Sequence, residues 1–162
     1  MTDMHRPIRS KTIRELLALT GAELGASGWH EVTQELIDQF ANLTGDRQWI
    51  HVDPERANRS EFCATIAHGL YGLSIRPALM EELIAFDGFA HSLNYGYNKV
   101  RFPSPLPVGS RIRLHAYVSS VHDLGHAANI VIAQRFEREG TDKPVCVADQ
   151  VARLTEHPAS IV

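Results

Sequence analysis

Gly69-Leu70-Tyr71-Gly72-Leu73-Ser74-Ile75-Arg76-Pro77-Ala78-Leu79-Met80-Glu81-Glu82-Leu83-Ile84-Ala85-Phe86 is the stretch on which the fold turns. Leu70, Leu73, Leu79, Met80, Leu83 and Ile84, with Ser74 and Pro77 among them, make it apolar over most of a helical surface. A helix of that kind is buried on nearly every side. The spacing predicts a central helix over 69–86, kinked where Pro77 lacks the N–H that an interior position needs. So apolar a helix needs a sheet around it.

The sequence downstream supplies that sheet. Residues 92–102, 111–122, 127–137 and 145–155 are rich in alternating and β-branched residues, the pattern of half-buried strands. Asp123-Leu124-Gly125 and Gly140-Thr141-Asp142-Lys143-Pro144 between them are short enough for antiparallel hairpins. Upstream, the residues predict a short helix over 13–19, a strand over 23–32, and a helix over 34–43 capped by Thr33. Leu36, Ile37, Phe40 and Leu43 recur there at helical spacing and predict one buried face. Gly45 ends that helix in a left-handed turn, Asp46 follows on a loop, and 47–64 reads as irregular. The order is strand, helix, long buried helix, then an antiparallel meander, which is an α+β layer fold of one domain spanning 1–162, with 1–11 as a flexible end.

The composition excludes several roles. The chain has 162 residues, 44% hydrophobic and 22% charged, with a formal net charge of -3. No basic footprint for a phosphate backbone is present, so nucleic acid is not expected as a partner. Residues 1–12 are polar and basic, with no apolar run of the signal-peptide kind, and no stretch approaches the roughly 20 apolar residues that span a bilayer. Cys63 and Cys146 lie far apart in the sequence, without zinc-site or disulfide spacing, which suits a reducing cytoplasm. His122 and His126 flank Leu124-Gly125, a turn and not a helix face, so no metal is expected.

Phe40-Ala41-Asn42-Leu43-Thr44-Gly45-Asp46 followed by Ile50-His51-Val52-Asp53 resembles the hydratase signature of the MaoC-like dehydratases, which include the (R)-specific enoyl-CoA hydratases and have the hot dog fold. Ile66-Ala67-His68-Gly69 resembles that family's second motif, and Lys99-Val100-Arg101-Phe102 its third. Arg47-Gln48-Trp49 stands where many hydratases carry an asparagine-proline pair. Together with Asn94-Tyr95-Gly96-Tyr97-Asn98, it is similar to the nodulation protein N-like branch.

The resemblance implies a chemistry that these residues can perform. Hydrating an enoyl thioester requires a group to deprotonate water at the β-carbon, a proton donor for the α-carbon, and stabilisation of the enolate oxygen. Asp46 and His51 are the candidate catalytic pair, with the assignment of base and acid left open; taken alone they would read as a turn cap and a surface histidine. The backbone N–H of Gly69, at the open first turn of a helix, is the candidate oxyanion donor. His68, Ser74, Asn94 and Asn98 are the candidate substrate-binding residues. No cofactor is implied. The expected substrate is an acyl-CoA, and the expected assembly is a homodimer, because a single sheet of this size leaves long edge strands open. Thioester hydrolysis and non-catalytic acyl binding are the alternative activities for the same fold.

Overall fold

Thr33 Oγ1 accepts from the Leu36 N–H and starts the helix Gln34–Thr44 (α2), which Gly45 ends with φ 78° and an N–H bonded to the Ala41 carbonyl. Ile37 and Ala41 are buried on its inner face, but Leu43 is 84% exposed, so the apolar face stops one turn short of the expected one. The computed structural model describes residues 7–157. Of the end expected to be flexible, 1–6 lie outside these. Ile8–Arg9 (β1), by contrast, forms a short parallel pair with Ile84–Ala85 (β4) through Ile8 N–H to Leu83 O and Ser10 N–H to Ala85 O. Thr12 then caps the helix Ile13–Ala18 (α1).

The segment read as one strand over 23–32 is two, Glu23–Ala26 (β2) and His30–Glu31 (β3), both antiparallel to the strand Arg111–Asp123 (β6). Between them Ser27 stays in the ladder, its N–H bonded to Leu114 O and its hydroxyl accepting from Leu114 N–H. Gly28 turns outward to the Glu82 carboxylate. The region read as irregular holds two short helices, Trp49–Val52 (α3) and Pro54–Asn58 (α4), the second started by the Asp53 carboxylate and by Pro54 at its first turn.

The central helix Gly69–Glu81 (α5) ends before Leu83 and Ile84: Leu83 lies in the turn that follows, and Ile84 opens β4. Tyr71, Gly72, Leu79 and Met80 are its buried residues, whereas Leu70 is 58% exposed, so it is apolar but not enclosed all round. The strands Phe89–Arg101 (β5), Ala127–Arg138 (β7) and Cys146–Glu156 (β8) complete a sheet in the order β2-β6-β7-β8-β5, with β3 beside β6. All its pairings are antiparallel. Alternate residues face the core: Ile112, Leu114, Ala116 and Val118 of β6, Ala128, Ile130, Ile132 and Phe136 of β7, and Cys146, Ala148, Ala152 and Leu154 of β8. Gly72 of α5 lies against the Phe136 ring.

After β4 the chain passes over the N-terminal segment so closely that a Cβ on Gly88 would lie 2.0 Å from the Lys11 carbonyl oxygen. Among the described residues, no helix is long and apolar enough to cross a membrane.

Candidate active site

Three separate pieces of chain bring the expected site together. The left-handed cap at Gly45 swings Asp46 off the end of α2 onto a loop, where its side chain is 44% exposed. His51 lies on α3, whose position is fixed by Gln34. The Gln34 amide donates to the His51 carbonyl at 2.8 Å and to Asp38, and accepts from the Thr65 hydroxyl. The third piece, 65–68, is held on both sides, by Ile66 N–H to Ile50 O at 2.9 Å and by Ala67 N–H to Leu106 O at 2.8 Å.

These ties leave His51 and His68 buried, at 6% and 5% exposure, with their rings stacked at 3.7 Å between centroids and 23° between planes. The His51 Nδ1 lies 2.6 Å from the Ile66 carbonyl oxygen. A carbonyl only accepts, so in the neutral ring Nδ1 carries the proton and Nε2 offers its lone pair. That Nε2 lies 4.0 Å from the Asp46 Oδ2. Burial is the main cause that holds the His51 pKa below its ordinary value; the neighbouring His68 adds to it, while the Ile66 carbonyl and Asp46 oppose it. The ring is therefore a free base at neutral pH. The donor atoms of Asp46, His51 and His68 lie within 4.8 Å of one another. The His68 Nε2, however, is 2.9 Å from the Asp46 backbone oxygen, so in the neutral ring it carries the proton and has no lone pair to offer a cation.

Beside the two histidines opens a cavity of about 390 Å³. Its walls include His51, His68, Gly69 and Gly72 on one side and Phe102, Leu106, Val145 and Cys146 on the other. His68 is the N-cap of α5 and makes no side-chain cap bond, which leaves the helix's first N–H groups and the positive end of its dipole directed outward at Gly69. A Cβ on Gly69 would lie 3.0 Å from the Phe102 ring, tighter than an ordinary contact, so a side chain there would have to push the ring aside. The Cys146 thiol is pushed up to about 12 by burial and is no nucleophile at neutral pH.

Asp46, His51, His68 and Gly69 thus lie together. Ser74, Asn94 and Asn98 do not line the cavity: Ser74 is exposed and donates to the Leu70 carbonyl of its own helix, Asn94 accepts from Gln150, and Asn98 is exposed on β5. The sequence reading missed Gln34, whose only signal was a glutamine in the first turn of a capped helix. It also missed the wall residues Leu106, Val145 and Cys146, which carry no polar signature.

The profile of the MaoC-like domain matches residues 16–138. The 3-hydroxyacyl-thioester dehydratase Z of Mycobacterium tuberculosis is 44% identical over 144 residues, which cover 88% of this chain and 95% of that protein. Nodulation protein N of Rhizobium meliloti is 35% identical over 151 residues, covering 91% and 93%. The (R)-hydratase of A. caviae involved in PHA biosynthesis has the same fold, with a TM-score of 0.67 at 20% identity over 82% of this chain and 94% of that one. The monoamine oxidase regulatory protein from Archaeoglobus fulgius superposes with a TM-score of 0.71 at 24% identity, covering 86% and 92%. Those two structures bear on the hot dog fold; the match along most of the length bears on the lineage, and by it the chain belongs to the MaoC-like dehydratase family of hydro-lyases.

Proposed function

We propose that this protein adds water to a trans-2-enoyl-CoA to give the (R)-3-hydroxyacyl-CoA, and catalyses the reverse dehydration. The observation that carries the reading is His51, a buried free base that lines a cavity together with the start of α5, with the Asp46 carboxylate 4.0 Å from its Nε2. A water molecule held between the Asp46 carboxylate and the His51 Nε2 gives its hydroxyl to the β-carbon. Its proton passes through the pair to the α-carbon, so the water is consumed whole. The thioester oxygen, which gains negative charge in between, accepts from the Gly69 N–H, and the helix dipole favours that charge. The 3-hydroxyacyl-thioester dehydratase named among the relatives supports the substrate class.

The test is loss of the conjugated enoyl absorbance of crotonyl-CoA with chiral analysis of the product. Release of free thiol from a saturated acyl-CoA, with no hydration, would make the protein a thioesterase. Binding without turnover of either compound would make it an acyl-thioester binding module. The same reading includes a homodimer. The 13 residues of β5 close the sheet order with an open edge, and Leu93 and Tyr95 on it are 53% and 59% exposed. It also includes a cytoplasmic location, in keeping with two free thiols.

A further inference from the structure

We infer that His68 is the positioning residue of the Asp46–His51 pair, a clamp that holds the loop of one and the ring of the other in a single arrangement. This rests on the reading of Asp46 and His51 as the proton-transfer groups, to which it adds a third residue with a different task. Asp46 is weakly anchored otherwise. Its N–H reaches the Thr44 hydroxyl at 3.4 Å, and its Oδ1 is met by the Gln48 N–H at 3.4 Å, both at the long limit. Its short bond is the one from the His68 Nε2 to its carbonyl, at 2.9 Å.

The opposite face of the clamp is the stack on His51, and the His68 ring is itself backed by Phe40, 5.1 Å away on α2. Phe40 in turn meets Tyr71 edge-on, and the Tyr71 hydroxyl is bonded to His30 at 2.8 Å, so the support runs on into the core. The bond to Asp46 settles which His68 nitrogen carries the proton. The other, Nδ1, is buried without a partner, and a proton placed on it would be a donor with no acceptor. Of the two stacked rings, His51 is the one whose Nε2 lone pair is turned toward the Asp46 carboxylate.

Two substitutions separate the two halves of the clamp. His68→Phe keeps a ring against His51 but loses the bond to Asp46; kcat is expected to fall about 10-fold to 100-fold, the scale of a small misplacement of a reacting group, with KM unchanged. His68→Gln keeps an amide N–H for the Asp46 carbonyl but removes the ring. It is expected to retain more of kcat than His68→Phe, while the acid limb of kcat/KM moves to higher pH. The titratable groups facing His51 are Asp46 from the loop and His68 from the start of α5, and Gln34 from α2 brings only an uncharged amide. Loss of the stacked ring is therefore read directly in the His51 titration by NMR.

A kcat in His68→Phe within a factor of two of the unchanged protein overturns the clamp, and so does an unmoved His51 titration in His68→Gln. Should either variant misfold, nitrogen NMR of the imidazole rings in the unmodified protein decides. His68 must carry its proton on Nε2 and His51 on Nδ1, and the reverse assignment for His68 overturns the inference. The ring measurements do not depend on the substrate, so they stand apart from a failure to hydrate crotonyl-CoA.

Discussion

Gln134 and Gln150 are as deeply buried as His51 and His68, at 4% and 1% exposure against 6% and 5%. The glutamines lie on β7 and β8 at positions that face the core. Gln134 donates to Gln150 at 2.9 Å, and Gln150 donates to Asn94 on the outermost strand at 3.1 Å. The chain of amides crosses three strands, cannot take up a proton at any ordinary pH, and ties β5 to the body of the sheet. The histidines face a cavity, one of them with a lone pair free and its basicity lowered by burial. Equal burial therefore serves opposite ends. In the sheet, buried polarity fixes a neighbour; at the cavity, it prepares a group to change its charge.

The largest effect that could break this distinction is expected at the pair itself. Asp46→Asn and His51→Gln each keep approximate size and hydrogen bonding but remove proton transfer, and each is expected to cut turnover about 100-fold to 10,000-fold with little change in Tm. The double variant should be barely worse than the worse single one, because groups sharing one water act as a unit. Additive losses in steady-state kinetics would mean separate roles.

Next in size is Gly69→Val, where the new side chain meets the Phe102 ring at 3.0 Å and crowds the proposed oxyanion donor. Turnover is expected to fall about 100-fold to 1,000-fold, as for removal of one such donor. Circular dichroism run alongside separates this from unfolding, and normal turnover would dismiss the oxyanion role.

In the sheet the expected readout is stability alone. Gln150→Leu strands the Gln134 amide in the core and should cost about 1 to 3 kcal/mol in denaturant unfolding, with kcat unaltered. Gln134→Leu with Gln150→Leu should recover much of that loss. A fall in kcat without a fall in stability would mean that the amides belong to the site after all.

The smallest effect is the pH dependence of stability. Burial lowers the pKa of both His51 and His30. The folded chain then binds fewer protons than the unfolded one between the folded-state values and the ordinary 6.5. The corresponding stability is fully present above pH 6.5 and is lost as pH falls through the folded-state values. Thermal melts across that window should show the slope, and His51→Gln should flatten it.

The strands β6, β7 and β8 were legible because apolar residues recur at every second position over most of their length, and α2 was legible from Thr33 and Gly45. The end of α5 was not, since Leu83 and Ile84 continue a helical apolar pattern and leave it only because Ile8 and Arg9, more than seventy positions earlier, offer a strand partner. Asp46 and His51 could be picked out because they stand close in sequence. The bond from His68 to the Asp46 carbonyl could not, since it depends on how 65–67 is pinned between α3 and the segment around Leu106. The glutamines did leave a trace in the sequence: each is a polar residue at an inward position of an otherwise apolar alternation.

Gly88 makes the last of these distinctions practical. Nothing larger than hydrogen fits against the Lys11 carbonyl there, so every substitution unseats the N-terminal segment. A library of variants scored only by survival would rank position 88 beside position 46, and a reader of such a map would place a second active centre where there is only a crossing of two backbones. Scoring soluble yield in parallel separates the two: variants at 46 accumulate as inert protein, and variants at 88 do not accumulate.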